Sequence, residues 1–228
     1  MSHHQTNITR IRAVSNALGD LRTKVVFVGG ATVSLYADRI APEVRETDDV
    51  DIIIEIATRW EFAEIEEQLR KAGFENDRSG KFLGRYLLKG FVVDVMPIDE
   101  GILGSPNIWY ADGFKAAVEY SIDDLHPIRI FTAPYFIATK LAAFNDRGEN
   151  DGRMSRDFED IVFVLENRRS VWQEMKAADE KVREFLLGEF RALQANRHIR
   201  EWIDAHSDFR SPPGSYLILN DMEGFLRV

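Results

Sequence analysis

Apolar residues are spaced in two ways along the 228-residue chain, and the change from one spacing to the other divides it. Residues 24–28 and 50–56 are short, almost unbroken apolar runs, the pattern of strands covered on both faces. Between them lie Gly29-Gly30, a stretch over 31–39 that reads as a short helix ended by Pro42, and a polar approach over 45–48. Ahead of the first strand, Ile8, Ile11, Leu18 and Leu21 recur at helical spacing and predict a helix over 6–21, with Thr6 or Asn7 as N-cap. Residues 1–5, including His3 and His4, read as a frayed end. Residues 59–72 carry Phe62, Ile65 and Leu69 as a helical stripe, with Gly73 placed to follow the C-cap. Two further strands, 82–88 and 91–96, are joined by the tight turn Lys89-Gly90. Residues 97–107 read as loop, and 108–120 is aromatic but too weakly periodic to assign. A short strand over 128–131 follows His126-Pro127.

Beyond this point the pattern becomes helical. Thr132 can cap a helix over 133–144, and helices follow over 155–167, 171–176, 179–194 and 197–206. Residues 210–214 read as a turn and 216–219 as a late strand. The expected fold class is α+β, a mixed sheet flanked by helices and followed by a helical region. The expected division is an α/β domain over 1–130 and a helical domain over 131–228. No internal repeat is visible.

Composition narrows the chemistry. With 45% hydrophobic and 29% charged residues the chain has a globular composition, and its length allows a sizeable core. No apolar window is long enough to cross a bilayer and the start lacks a signal-peptide pattern, so no membrane partner and a cytoplasmic location are expected. The absence of cysteine excludes disulfides, zinc–thiolate sites and thiol nucleophiles. A net charge of −9 argues against a broadly basic nucleic-acid surface, though not against a local basic strip.

Candidate chemistry gathers at the second strand. Asp49 and Asp51 are two residues apart, so their side chains share a face about 6.5–7 Å apart along the strand. Like charges on one face repel, and a divalent cation with hard oxygen ligands, Mg2+ or Mn2+, resolves the repulsion. Gly29 and Gly30 allow a ligand close to the backbone, and the helix after them offers N–H groups to phosphate. Asp94 is the one charge in the apolar run FVVDVM. Isolated strand carboxylates are ordinarily exposed edge residues, but this one lies between two valines, and a buried carboxylate needs a partner. It is therefore read as a third metal-facing carboxylate. A second constellation comprises Lys140, Arg147 two helical turns on, and then Asp157 and Asp160 three apart. Two readings stay open: a salt-bridge lattice tying two helices together, or Lys140 reaching a triphosphate while Asp157 positions or deprotonates a group. His126, His198 and His206 lack metal spacing, and no nucleophile-elbow or P-loop motif is present.

The ordered set of strand, Gly-Gly, helix, Asp-x-Asp and a later strand Asp resembles the DNA polymerase β-type nucleotidyltransferase superfamily. Within it, FVGGATVSLY, RETDDVDI and APYFIATKLAAFNDRG followed by RDFEDI resemble the AbiEii-type nucleotidyltransferases, many of them toxins of toxin–antitoxin systems. The resemblance covers roughly residues 24–165. It implies transfer of a nucleoside monophosphate from an NTP to an acceptor hydroxyl on RNA, such as the 3′ end of a tRNA, and a cognate antitoxin as partner. It matches Asp49 and Asp51 to the metal pair, Gly29 and Gly30 to the nucleotide turn, and Lys140 and Asp157 to the later motifs. The helical domain is then expected to complete the active-site cleft. Many superfamily members carry Gly-Ser where this chain has Gly-Gly, so a phosphate-binding hydroxyl must come from Thr32 or Ser34. Arg45 and Arg147 would add positive charge, and Arg147, Arg153, Arg156, Arg168 and Arg169 could form a basic strip. Alternatives are a small-molecule, antibiotic-type nucleotidyltransferase and a nucleotide-binding module that has lost turnover.

Overall fold

The computed structural model describes residues 3–38, 44–56, 58–77, 82–99, 107–123, 127–148, 151–207 and 214–227. Two units emerge, Met1–Ser34 with Glu43–Thr132, and Leu35–Pro42 with Ala133–Val228. Among the described residues no helix is long and apolar enough to cross a membrane.

The first unit is built on a mixed seven-stranded sheet. In chain order it holds α1 (His3–Leu18), a 3-10 turn (Gly19–Lys24), β1 (Val25–Val28), a 3-10 segment beginning at Gly30, β2 (Asp49–Ile54) and α2 (Arg59–Lys71). Then come β3 (Glu75–Asn76), β4 (Arg85–Leu88), β5 (Phe91–Pro97), α3 (Tyr110–Lys115), β6 (Val118–Ser121) and β7 (Pro127–Ile130). Spatial order is β3-β4-β5-β2-β1-β7-β6. Strand β1 runs antiparallel to β2 and parallel to β7, and β2 runs parallel to β5. All four residues of β1 are buried, as its unbroken apolar run requires of a central strand. The β4–β5 hairpin turns on Lys89 and Gly90, both at positive φ (51° and 91°), the backbone of a tight two-residue turn matched to strand twist. Thr58 and Glu61 close a reciprocal capping box at the start of α2.

Several expectations are corrected. Helix α1 begins at His3, so residues 3–5 are helical and neither Thr6 nor Asn7 is its N-cap; Asn7 lies inside the helix, fully buried and in register with Ile11, Val14 and Leu18. The apolar stretch after the diglycine is a 3-10 segment, Gly30–Tyr36, because its residues are buried all round and leave no polar face for a regular amphipathic helix. Residues 110–115 and 118–121, which the sequence pattern left unassigned, are α3 and β6. Arg39, Pro42 and His126, and residues 210–213 of the turn expected over 210–214, lie outside the described residues, while Gly214 begins the last helix.

The second unit is helical: α4 (Ala133–Arg147), α5 (Arg156–Asn167), α6 (Val171–Ala177), α7 (Glu180–Ala195), α8 (Ile199–Asp204) and α9 (Gly214–Leu226). The strand expected over 216–219 is part of α9, whose buried face is Ile218, Met222 and Phe225. Tyr216 and Leu217 point to solvent, so the apolar run imitates a strand while the helical stripe continues past it. Helix α4 is buried on every side from Ala133 to Leu141 and packs against α5, α6 and α7. Phe144, Phe158 and Trp202 form one aromatic cluster, and Trp172, Phe190 and Phe225 a second.

A charged network sits inside this packing. Lys140 Nζ lies 3.1 Å from Asp157 Oδ1 and 2.6 Å from Asp160 Oδ2, with Asp160 1% exposed. Arg147 reaches Asp157 from the solvent side through Nε (2.8 Å) and Nη2 (3.0 Å). Burial pushes the Asp157 carboxyl up, but the Arg147 hydrogen bond and the Lys140 charge outweigh it and hold the group below its ordinary 3.8. A depressed carboxyl contributes stability that is present above its unfolded pKa and is lost as pH falls through the folded one. Lys140→Met removes the buried cation shared by Asp157 and Asp160 and should cost about 3–5 kcal/mol in urea unfolding at neutral pH. In the parent protein the Asp157 contribution should disappear below about pH 4, seen as a falling urea midpoint.

Candidate metal centre

The register of two neighbouring strands assembles the acidic site. Because β2 and β5 run parallel with Asp51 opposite Asp94, both side chains point to one face of the sheet, and Asp49 joins them two residues away. The three offer carboxylate oxygens that all lie within 4.8 Å of one another. At about 4–5 Å two such charges repel by roughly 1 kcal/mol in water and 4 kcal/mol at the dielectric typical of protein surfaces. Asp49 and Asp51 are half-buried and Asp94 is 8% exposed. Clustered hard oxygens from three anionic side chains fit Mg2+ or Mn2+ in donor type and charge.

The backbone beside the site is shaped by these side chains. Gly29, at φ +74°, follows β1, and a Cβ there would overlap Asp51 Oδ2. A Cβ on Gly30 would overlap the Arg45 guanidinium and the methyl group of Thr47. The diglycine thus admits an acid against one residue and a base against the next. Thr32 donates from both its amide (3.2 Å) and its hydroxyl (2.9 Å) to the Gly29 carbonyl, closing the turn. Thr32 is fully buried, and Ser34 is 6% exposed with its hydroxyl unpartnered among the described residues.

Helix α1 holds the segment leading into β2. His3 Nδ1 meets the Val44 carbonyl at 3.0 Å. Asn7 donates to the Arg45 carbonyl (3.2 Å) and accepts from the Thr47 amide (3.3 Å). Arg10 hydrogen-bonds the Thr47 carbonyl and pairs with Glu46 at 2.9 Å. Residues 3, 7 and 10 lie on one helical face, which fastens residues 44–47 ahead of Asp49. Sequence reasoning missed this role for Asn7, although its spacing from Ile11 and Leu18 places it on the buried stripe.

It also missed Arg85. This residue stands directly opposite Asp94 in the β4–β5 ladder, and its guanidinium donates from Nε to Asp94 Oδ1 (2.8 Å) and from Nη2 to Oδ2 (2.7 Å). The Asp94 hydrogen bonds push the guanidinium pKa further up, with the charge of Asp49 adding to the effect. The structure therefore brings together Asp49, Asp51 and Asp94 with Gly29, Gly30, Thr32 and Arg45 around the end of β1, while Ser34 lies further along the 3-10 segment Gly30–Tyr36. Lys140, Arg147 and Asp157 form their own network in the helical unit.

Gly29→Ala meets both a left-handed backbone and an occupied space, and should cost at least about 1–2 kcal/mol in thermal or urea unfolding. By displacing Asp51 it should also weaken Mn2+ binding, read by calorimetry. Asn7→Ala leaves the Arg45 carbonyl and Thr47 amide without their partner, for a cost of about 1–3 kcal/mol. Asn7→Asp, which keeps the acceptor for Thr47 N–H, should fall between Asn7→Ala and the parent in the same measurement.

No family model matches the chain, and no curated protein does. Two structures of the antibiotic-resistance factor ANT(2'')-Ia align with it: a solution structure (TM-score 0.49, 16% identity, 85% of this chain and 98% of that one) and its complex with adenylyl-2''-tobramycin (TM-score 0.46, 18% identity, 83% and 99%). At those scores they add nothing to the assignment. The crystal structure of an antigenic nucleotidyltransferase-like protein from Paracoccidioides brasiliensis aligns at a TM-score of 0.50 and 16% identity, over 88% of this chain and 93% of that one. At that identity the likeness is one of fold, and the α+β chain described here has a nucleotidyltransferase-like fold.

Proposed function

We propose that this protein is a metal-dependent nucleotidyltransferase that moves a nucleoside monophosphate from an NTP to an acceptor hydroxyl. The observation that carries the reading is the three-carboxylate cluster of Asp49, Asp51 and Asp94 on one sheet face beside the Gly29-Gly30 turn. The acceptor hydroxyl releases its proton to water, its oxygen forms a bond to the α-phosphorus, the bond from that phosphorus to the bridging oxygen breaks, and pyrophosphate leaves with the electron pair. Asp49 and Asp51 would hold Mg2+, and Asp94 would add to the oxygen donor set. A bound Mg2+ would supply the positive charge that neutralises the triphosphate as it develops. Gly29 and Gly30 let the nucleotide tail approach the main chain, and Arg45 lies over Gly30 as a cation for it. Thr32 keeps the turn closed, and the Ser34 hydroxyl, without a partner among the described residues, is a further donor on the same segment. In the helical unit Lys140 and Asp157 form the charged core, while Arg147, 68% exposed, presents its guanidinium to solvent.

For the acceptor we propose RNA, following the AbiEii-type resemblance of the FVGGATVSLY, RETDDVDI and RDFEDI segments. A toxin restrained by a cognate antitoxin is the corresponding biological role. A small-molecule acceptor is the second reading, and a specific observation favours it. Of the arginines that could form a basic strip, Arg147 pairs with Asp157, Arg153 with Asp151 and Glu201, and Arg168 with Glu174. Those pairings reduce the positive charge left for a phosphate backbone.

The test is labelled-NTP turnover with either total tRNA or aminoglycosides as acceptor. Label should move to one of the two, and the double variant Asp49→Asn/Asp51→Asn should lose at least about a thousandfold of that rate while keeping its fold. Turnover that survives the double substitution overturns the assignment.

A further inference from the structure

Asn7 is an amide in an apolar place, fully buried on the stripe of α1 that carries Ile11, Val14 and Leu18. An amide is tolerated there only when its hydrogen bonds are made, and Asn7 makes them to one short segment far along the chain. Its Nδ2 donates to the Arg45 carbonyl (3.2 Å), and its Oδ1 accepts from the Thr47 amide (3.3 Å). These contacts bracket Glu46, so a single side chain fixes both ends of a three-residue stretch. The Thr47 hydroxyl has Asn7 Oδ1 (3.3 Å) and the Asp49 carbonyl (3.2 Å) within reach of its one proton. Both ends of the stretch also border the diglycine. The space that a Cβ on Gly30 would take is bounded by the Arg45 guanidinium and the Thr47 methyl group.

We propose that Asn7 is a positioning residue with two outputs: through the Arg45 main chain it sets the guanidinium beside Gly30, and through Thr47 it sets the main chain at Asp49. The inference rests on the transferase reading and deepens it, since that reading gives α1 no part in binding metal or the nucleotide tail. Asn7 itself touches neither ligand. Its two arms are chemically separable, because the donor end of the amide serves Arg45 and the acceptor end serves Thr47. Asparagine is also a poor helix former, so its place inside α1 is accounted for by these partners rather than by local preference. Binding groups have to be held to within about 0.5 Å of their working geometry, which makes a buried, fully hydrogen-bonded support of this kind consequential.

The test measures two ligands on the full chain. Mn2+ is followed by loss of its free-ion electron paramagnetic resonance signal, and inorganic tripolyphosphate, standing for the nucleotide tail, by calorimetry in saturating Mn2+. Asn7→Ala should weaken both by at least about fivefold. Thr47→Val keeps the side-chain shape and removes only the hydroxyl, so it should weaken Mn2+ by at least about threefold and leave tripolyphosphate within about twofold of the parent. Val14→Ala opens a cavity on the same stripe two helical turns from Asn7; it lowers stability and should leave both affinities at the parent's values. Should Asn7→Ala fail to fold, Thr47→Val decides. Parental affinities in Asn7→Ala, parental Mn2+ affinity in Thr47→Val, or a loss in Val14→Ala equal to that in Asn7→Ala overturns the proposal while leaving the triad a metal site. No Mn2+ binding by the parent overturns the metal reading itself, and this inference with it.

Discussion

Three carboxylates held within 4.8 Å of one another on one face of a sheet are the constraint around which the first unit is arranged. Their mutual repulsion opposes folding, and what holds them in place is the opposite face of the same strands. Val50, Ile52 and Ile54 alternate with Asp49, Asp51 and Ile53, and all the apolar members of that set are buried. A slip of one residue in β2 would turn the acids into the core and Val50 and Ile52 to the site. Burying each such side chain contributes about 1.5–3 kcal/mol, and β5 adds Val93 and Val95 to the total. Summed over the strands, apolar burial outweighs a repulsion of roughly 1–4 kcal/mol per carboxylate pair.

The remaining electrostatic cost is met by basic side chains and by missing ones. Arg85 forks onto Asp94 and Arg45 lies across Gly30, while Gly29 leaves the space that the Asp51 carboxylate fills. The glycines are required by the protein's own side chains as well as by any ligand. Upstream, the face of α1 carrying His3, Asn7 and Arg10 pins residues 44–47, so the chain enters β2 in a defined conformation. The helical unit solves a similar problem differently. There Lys140 lies between Asp157 and Asp160 in nearly complete burial, where a cation without partners could not be kept charged.

Much of this was legible in the sequence, and what was missed follows from identifiable physics. Unbroken apolar runs marked the central strands, and two-residue spacing put Asp49 and Asp51 on one face. The pairing of Arg85 with Asp94 was legible too: a two-residue turn at Lys89-Gly90 pairs Leu88 with Phe91, and counting outward brings Arg85 opposite Asp94. Asn7 was misread as a cap because Asn favours helix starts, yet its position on the stripe with Ile11, Val14 and Leu18 was the stronger signal. Tyr216 to Leu219 failed for the opposite reason. Four consecutive apolar residues look like a strand until Met222 and Phe225 extend a helical face beyond them.

The sequence by itself determined the central strands and most of the helices, that the two acids of Asp-x-Asp share a face, and that a hairpin joins β4 to β5. Those properties are local, set by side-chain alternation, helical periodicity and turn geometry within a few residues. The tertiary structure alone decided that β5 lies beside β2 with Asp94 level with Asp51, that Arg45 covers Gly30, and that Lys140 is shared between two aspartates. Each of these joins residues far apart in the chain. Strand order and helix packing are chosen by burial summed over whole elements, and no short window of sequence contains that sum.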